Sequence, residues 1–194
     1  MKRAKGNGQY AQVTITLEPG KRDSGVSFKN KIKGGVVPKE FIPAVEKGIR
    51  EAATSGPLGW PVVDFKATLT DGKFHEQDSS AYAFEIAGHR AAKGGFEEAG
   101  SQLLEPIMSA EIRVPSKFVG GVMGDLHRRR GKVLNMSQDG DEQVIDAEVP
   151  LAETFGYITK LRSMTQGQGS CHLQLSKYDK VPTDIQEQIV NRWK

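Results

Sequence analysis

Several things are scarce in this chain of 194 residues, and each scarcity closes a route. One cysteine, Cys171, excludes an internal disulfide and any zinc site built on several cysteines, which fits a reducing compartment. Histidines number four (75, 89, 127 and 172), and none belongs to an H-E-x-x-H pair: His75-Glu76-Gln77-Asp78 ends without the second ligand. No apolar run approaches the length needed to span a membrane, and no signal-peptide pattern follows Met1, so a cytoplasmic protein without a membrane partner is expected. No G-x-x-x-x-G-K-[ST] phosphate loop occurs. Gly20-Lys21-Arg22 and Gly131-Lys132-Val133 lack its glycine spacing and its hydroxyl residue. Charge of one sign is also scarce. A net +3 permits nucleic-acid binding without demanding it.

What is present suits globular α+β structure: 37% hydrophobic and 26% charged residues, enough for one large or two small cores. The most informative stretch runs from about residue 61 to 99. Val63, Phe65, Ala67 and Leu69 alternate with polar positions and predict a strand over 61–69 with one buried face. Asp71-Gly72 signals a turn. Asp78 stands as the N-cap of a helix reaching about Ala99, with Ser79 and Ser80 in its first turn. Tyr82, Ala83, Ile86, Ala87 and Ala91 form the predicted apolar stripe. A polar loop bearing Lys73, His75, Glu76 and Asp78 is thereby held between strand and helix.

Before this stretch, Gln12–Leu17 and Val26–Ile32 read as strands, and Gly34-Gly35 breaks the second. Pro38 opens a helix with Phe41, Ile42, Val45, Ile49 and Ala52 on its stripe. After Pro106 a second pattern begins. Met108–Val114 is a strand, and 115–128 a helix whose end at Arg128-Arg129-Arg130 has Gly131 at the C-cap position. Lys132–Met136 and Gln143–Val149 are strands. Pro150 opens a helix carrying Leu151, Phe155, Ile158 and Leu161, with Phe155 and Tyr157 read as packing residues, and Ser170–Leu175 is the last strand. The order β-α-β-β-α-β is the split-βαβ, ferredoxin-like arrangement. A terminal helix begins near Pro182 with Ile185, Ile189 and Trp193 on one face.

Long motifs now carry a resemblance. GNGQYAQV (6–13), GGVVPKEFIPAVEKGI (34–49), SGPLGWPVVD (55–64) and HEQDSSAYAF (75–84) resemble the fourth domain of bacterial translation elongation factor G. LEPIM (104–108), VMGDLHRRRG (122–131) and VPLAETFGYITKLRSMTQGQGS (149–170) resemble its fifth. The resemblance implies two α+β domains. The first, 1–104, would resemble the second domain of a small-subunit ribosomal protein, with the terminal helix 183–194 returning to it; the second, 105–178, would be ferredoxin-like. It further implies a monomer that binds the ribosome and promotes tRNA–mRNA translocation by inserting the fourth-domain tip into the decoding region. GTP and Mg2+ would bind a GTPase domain that this chain does not include, so this chain would have no cofactor and no catalytic residue of its own.

By the same resemblance, Gly6, Asn7, Gly8, Gln9 and Tyr10, with Lys73, His75 and Asp78, occupy the tip that meets tRNA and mRNA. Glycines allow close backbone approach, amides and His75 offer polar contacts, and Lys2, Arg3, Lys5 and Lys73 attract phosphate. The pattern around His75 is bacterial, so no diphthamide is expected. Arg128, Arg129, Arg130 and Lys132 suit either a solvated helix end or large-subunit rRNA near the stalk base. Three departures are Ala81-Tyr82 after DSS, Gly120-Gly121, and His127-Arg128. They leave a paralogue in ribosome recycling or ribosomal protection as the alternative. A free-standing ribosome- or RNA-binding module is a further one. From another class comes an enzyme using His75 with Asp78 or Glu76 as acid–base groups.

Overall fold

The structure, a computed structural model, describes residues 9–192. The chain divides into two compact units, Met1–Ser101 with Val190–Lys194, and Gln102–Ile189.

The first unit is a three-stranded sheet in the order β1-β3-β2 with two helices on one face. β1 (Gln12–Pro19) runs antiparallel to β3 (Phe65–Lys73), and β2 (Val26–Asn30) runs parallel to it, so α1 (Ile42–Ala53) lies on the β2-to-β3 crossover. Phe65, Ala67 and Leu69 of β3 point into the core, as their alternation predicts. The strand nevertheless starts later than the pattern suggests. Val63 is half exposed, and Asp64, at φ 56, accepts N–H groups from Asp23 and Gly25 to brace the neighbouring loop. The strand also ends later. Asp71-Gly72 is no turn: β1 carries the pairing out to Gln12 opposite Lys73, past a bulge that leaves Thr70 unpaired. A side chain at Gly72 would meet the Gln12 carbonyl at 2.6 Å and Val37 Cγ2 at 2.5 Å, which makes glycine obligatory in this strand.

Pro38 opens a 3-10 turn over Lys39–Phe41, and α1 follows with Pro43 in its first turn, where a missing N–H costs nothing. α2 spans Ala81–Glu98 and buries Ala83, Phe84, Gly88, Ala92 and Phe96. This face is rotated from the predicted stripe: Tyr82 is 59% exposed, while Phe84 is fully buried and stacks on Phe41 with ring centroids 5.0 Å apart. The cause is tertiary. α1 and α2 cross at two glycines: a Cβ on Gly88 would meet the Val45 carbonyl at 2.5 Å, and one on Gly48 would overlap the Glu85 carbonyl. Across the same crossing Lys47 Nζ reaches Glu85 at 2.9 Å, and that hydrogen bond raises the lysine's pKa.

The second unit is a four-stranded antiparallel sheet in the order β5-β6-β4-β7. Its strands are β4 (Leu104–Pro115), β5 (Lys132–Asp139), β6 (Glu142–Pro150) and β7 (Ser170–Lys180). With α3 (Val119–Arg128) and α5 (Tyr157–Met164) in the connections, this is the ferredoxin-like order read from the sequence. Val122, Leu126 and Leu161 from these helices pack on Ala110, Ile112, Val114, Ile145, Ala147 and Val149 of the sheet.

Two local expectations change here. The helix after Pro150 is broken: α4 (Leu151–Thr154) stops, Phe155 turns extended, and Gly156 at φ 70 restarts the chain as α5. The break turns Phe155 outward, 76% exposed, and Ile158 half outward, while Tyr157 is buried. At the end of α3 the left-handed residue is Arg130, at φ 57, not Gly131. Gly131 instead donates its N–H to the Leu126 carbonyl at 2.8 Å, an approach a Cβ would obstruct. After β7, α6 (Thr183–Arg192) begins, and Gln186 Oε1 accepts the Leu103 N–H at 2.7 Å.

Candidate nucleic-acid interface

The loop between β3 and α2 is held by its own polar groups. Ser80, not Asp78, is the N-cap of α2: its hydroxyl accepts from the Ala83 N–H at 3.1 Å. Three consecutive residues here can cap a helix, and the other two are used elsewhere. Ser79 Oγ accepts the His75 N–H at 2.9 Å and donates to the Tyr10 carbonyl at 2.7 Å. The Ser79 N–H closes onto the His75 carbonyl at 2.9 Å, and the Tyr10 N–H donates to the Asp78 carbonyl at 2.9 Å. Tyr10 and the His75 loop, 65 residues apart in sequence, are therefore one structural piece. Ser79 is its joint, a role hidden in the sequence because the same residue reads as a helix start.

His75 Nδ1 lies 3.2 Å from Asp78 Oδ2 and 3.4 Å from the Gln77 N–H. Nδ1 accepts the Gln77 N–H, and the neighbouring Asp78 carboxylate helps fix the ring at the loop surface. Both side chains are substantially exposed, His75 at 54% and Asp78 at 39%. An exposed imidazole can hydrogen-bond a ribose 2′-hydroxyl or a phosphate oxygen. Gln9 and Lys73 are exposed beside this piece. Gly6, Asn7 and Gly8, with Lys2, Arg3 and Lys5, lie outside the described residues. Among the described residues no three His, Cys, Asp or Glu side chains gather as metal ligands.

Tyr10, Val36, Gly72, Lys73, Phe74 and His75 line a shallow cleft of about 350 Å³. Phe74 and Val36 were not singled out from the sequence. The available signal was an aromatic residue at the centre of the otherwise polar run Lys73-Phe74-His75-Glu76.

The arginine triplet divides into unlike parts. Arg129 Nε donates to Asp125 Oδ2 at 2.8 Å and its Nη1 to the Glu153 carbonyl at 2.6 Å, while its guanidinium lies over the Tyr157 ring at 5.1 Å. Arg130 grips Glu105 through two bonds of 2.7 and 2.9 Å, which raise its pKa further, and reaches Glu153 Oε1 at 3.3 Å. Only Arg128, 73% exposed, faces solvent, with a 3.4 Å contact to Asp125. Lys132 is exposed at the start of β5. Two of the three arginines thus join α3 to β4 and α4. They do not form a cationic surface.

A model of elongation factor G domain IV matches residues 1–100, and a model of the elongation factor G C-terminus matches residues 102–189. The chain belongs to the elongation factor G family. Elongation factor G of Granulibacter bethesdensis is 50% identical over 192 residues, which cover 98% of this chain and 28% of that protein. A crystal structure of a Thermus thermophilus protein superposes with a TM-score of 0.83 at 43% identity, over 98% of this chain and 29% of that one. The chain therefore spans under a third of the elongation factor G it matches. In family terms the Tyr10–Ser79–His75 piece lies in domain IV, and the Arg129–Asp125 and Arg130–Glu105 pairs lie in the C-terminal domain.

Proposed function

We propose that this chain is the ribosome-binding C-terminal part of an elongation factor G, and that the joined loops around Tyr10 and His75 contact the tRNA–mRNA pair in the decoding region during translocation. The observation that carries the reading is the Ser79 joint within a family-matched domain IV. It ties Tyr10 to the His75 loop, where the side chains of Gln9, Lys73 and His75 stand exposed. A contact of this kind recognises RNA through ribose and phosphate oxygens and does not read base identity. GTP hydrolysis is read as the work of the portion of an elongation factor G that this chain does not span. Contact with large-subunit rRNA falls to Arg128 and Lys132, since Arg129 and Arg130 are engaged within their own unit.

The test is single-round translocation by an elongation factor G containing this chain with Gln9→Ala and His75→Ala together. The expected result is a rate at least tenfold lower with GTP hydrolysis retained. Translocation at the wild-type rate would remove the tip assignment. A loss confined to ribosome recycling would support the paralogue instead.

A further inference from the structure

β3 ends in two adjoining clefts, both bordered by the loop that follows β2. Lys31, Ile32, Lys33, Thr70 and Asp71 line one of about 570 Å³. The next residues along the same strand, Gly72 to His75, line the other, with Val36 and Tyr10 opposite. The β1–β3 bulge at Thr70 sets Thr70 and Asp71 side by side in the first cleft. Buried Val37, pressed against Gly72, anchors the loop between them.

The clefts differ in chemistry. The first is cationic. Elsewhere on this unit Lys47 and Lys66 bond directly to Glu85 and Glu18, whereas Lys31, Lys33 and Lys73 are exposed and make no direct ion pair among the described residues, Lys31 acting on Glu18 only at longer range. The one acid present, Asp71, is turned onto the Gly72 N–H at 2.8 Å. The second cleft is apolar and aromatic, with Phe74 and Tyr10 each 41% exposed and Val36 37% exposed. Exposed aromatic rings beside exposed lysines are what a protein needs to hold single-stranded nucleic acid: bases stack on the rings and phosphates meet the cations. A base-paired duplex keeps its base faces covered and cannot use the second cleft.

We propose that these clefts form one single-stranded RNA site, in which an unpaired base stacks in the Phe74–Tyr10 cleft and the adjoining phosphates lie on Lys31, Lys33 and Lys73. The proposal rests on the tip's being an RNA-contacting element, and it adds a site for a nucleotide outside any base pair.

The test is binding of the 194-residue chain to a hexaribonucleotide carrying 2-aminopurine, followed by its fluorescence. Stacking should quench the probe. Phe74→Leu should weaken binding about tenfold and abolish the quenching, while Phe74→Trp should preserve both. Lys31→Gln with Lys33→Gln should lower the slope of log affinity against log salt by about 1.4, the single-strand value for two phosphates. The proposal is overturned if the wild-type chain does not bind the hexamer, if folded Phe74→Leu binds as wild type, or if a blunt duplex of the same sequence binds as tightly. Because the readout needs no ribosome, failure here with a translocation defect intact for His75→Ala would sink this site alone. Hexamer binding with normal translocation for that variant would sink the other reading alone.

Discussion

Ser79 donates its hydroxyl to the Tyr10 carbonyl at 2.7 Å while accepting the His75 N–H at 2.9 Å. One small side chain thereby fixes two loops that the tip needs in register. Ser79→Ala removes both bonds and leaves the Tyr10 carbonyl to solvent. The amides of Tyr10 and His75 should exchange with deuterium about tenfold faster in this variant, while amides in the centre of β3 keep their protection. Unchanged exchange at both positions would mean that Ser79 is not the joint.

The α1–α2 crossing depends on backbone contact at Gly48 and Gly88. Gly48→Ala should destabilise the protein by about 1–3 kcal/mol in chemical denaturation, because the new methyl meets the Glu85 carbonyl and the helices must separate. Gly94→Ala, on the same helix as Gly88 but with nothing near its Cβ position, should instead be neutral or slightly stabilising.

Arg128, Arg129 and Arg130 should separate by stability. Arg129→Ala leaves the buried Asp125 with a 3.4 Å contact to the exposed Arg128, and Arg130→Ala strands Glu105, whose side chain is 12% exposed. Each should cost about 1–3 kcal/mol in thermal or urea unfolding. Arg128→Ala should stay within about 0.5 kcal/mol of wild type. A weakening of ribosome binding by Arg128→Ala alone would locate the rRNA contact there.

Tyr157 has a buried hydroxyl with no hydrogen-bond partner among the described residues, and burial raises its pKa above the usual 10.0. A raised folded pKa favours folding while both states are neutral. That contribution is complete below about pH 10 and is lost as pH rises beyond it, because the unfolded tyrosine ionises first. Tyr157→Phe should leave stability at pH 7 equal or higher, retain the ring under Arg129, and remove part of the decline between pH 10 and 11. Substantial destabilisation at pH 7 would show that the hydroxyl has a partner.

Burial also pushes the Cys171 thiol up to about 11. At pH 8 only about one molecule in a thousand carries the thiolate. Iodoacetamide should modify the native protein far more slowly than the unfolded chain, with the native rate rising about tenfold per pH unit through pH 10.

Much of this architecture was legible from residue periodicity, because alternating runs such as Phe65-Ala67-Leu69 and Ala110-Ile112-Val114 report directly which strand face is buried. What was not legible depends on residues far apart in sequence. The phase of α2 follows from Gly48 and Gly88 meeting across the helix crossing, which no stripe on α2 alone reveals. Phe155 turns outward while Tyr157 stays buried because a left-handed Gly156 breaks their helix. In Asp78-Ser79-Ser80 any of the three residues can cap, and Tyr10 decides among them by engaging Ser79. The engagement of Arg130 by Glu105 and Glu153, and of Arg129 by the Glu153 carbonyl, was not legible because these partners lie more than 20 residues away.

The piece bearing His75 is proposed to reach the tRNA–mRNA pair. The most direct test is a photo-crosslinker at position 75 of an elongation factor G containing this chain, bound to a ribosome halted during translocation. The expected crosslinks are to tRNA, to mRNA or to small-subunit RNA of the decoding region. Crosslinks confined to large-subunit RNA, or to protein alone, would contradict it.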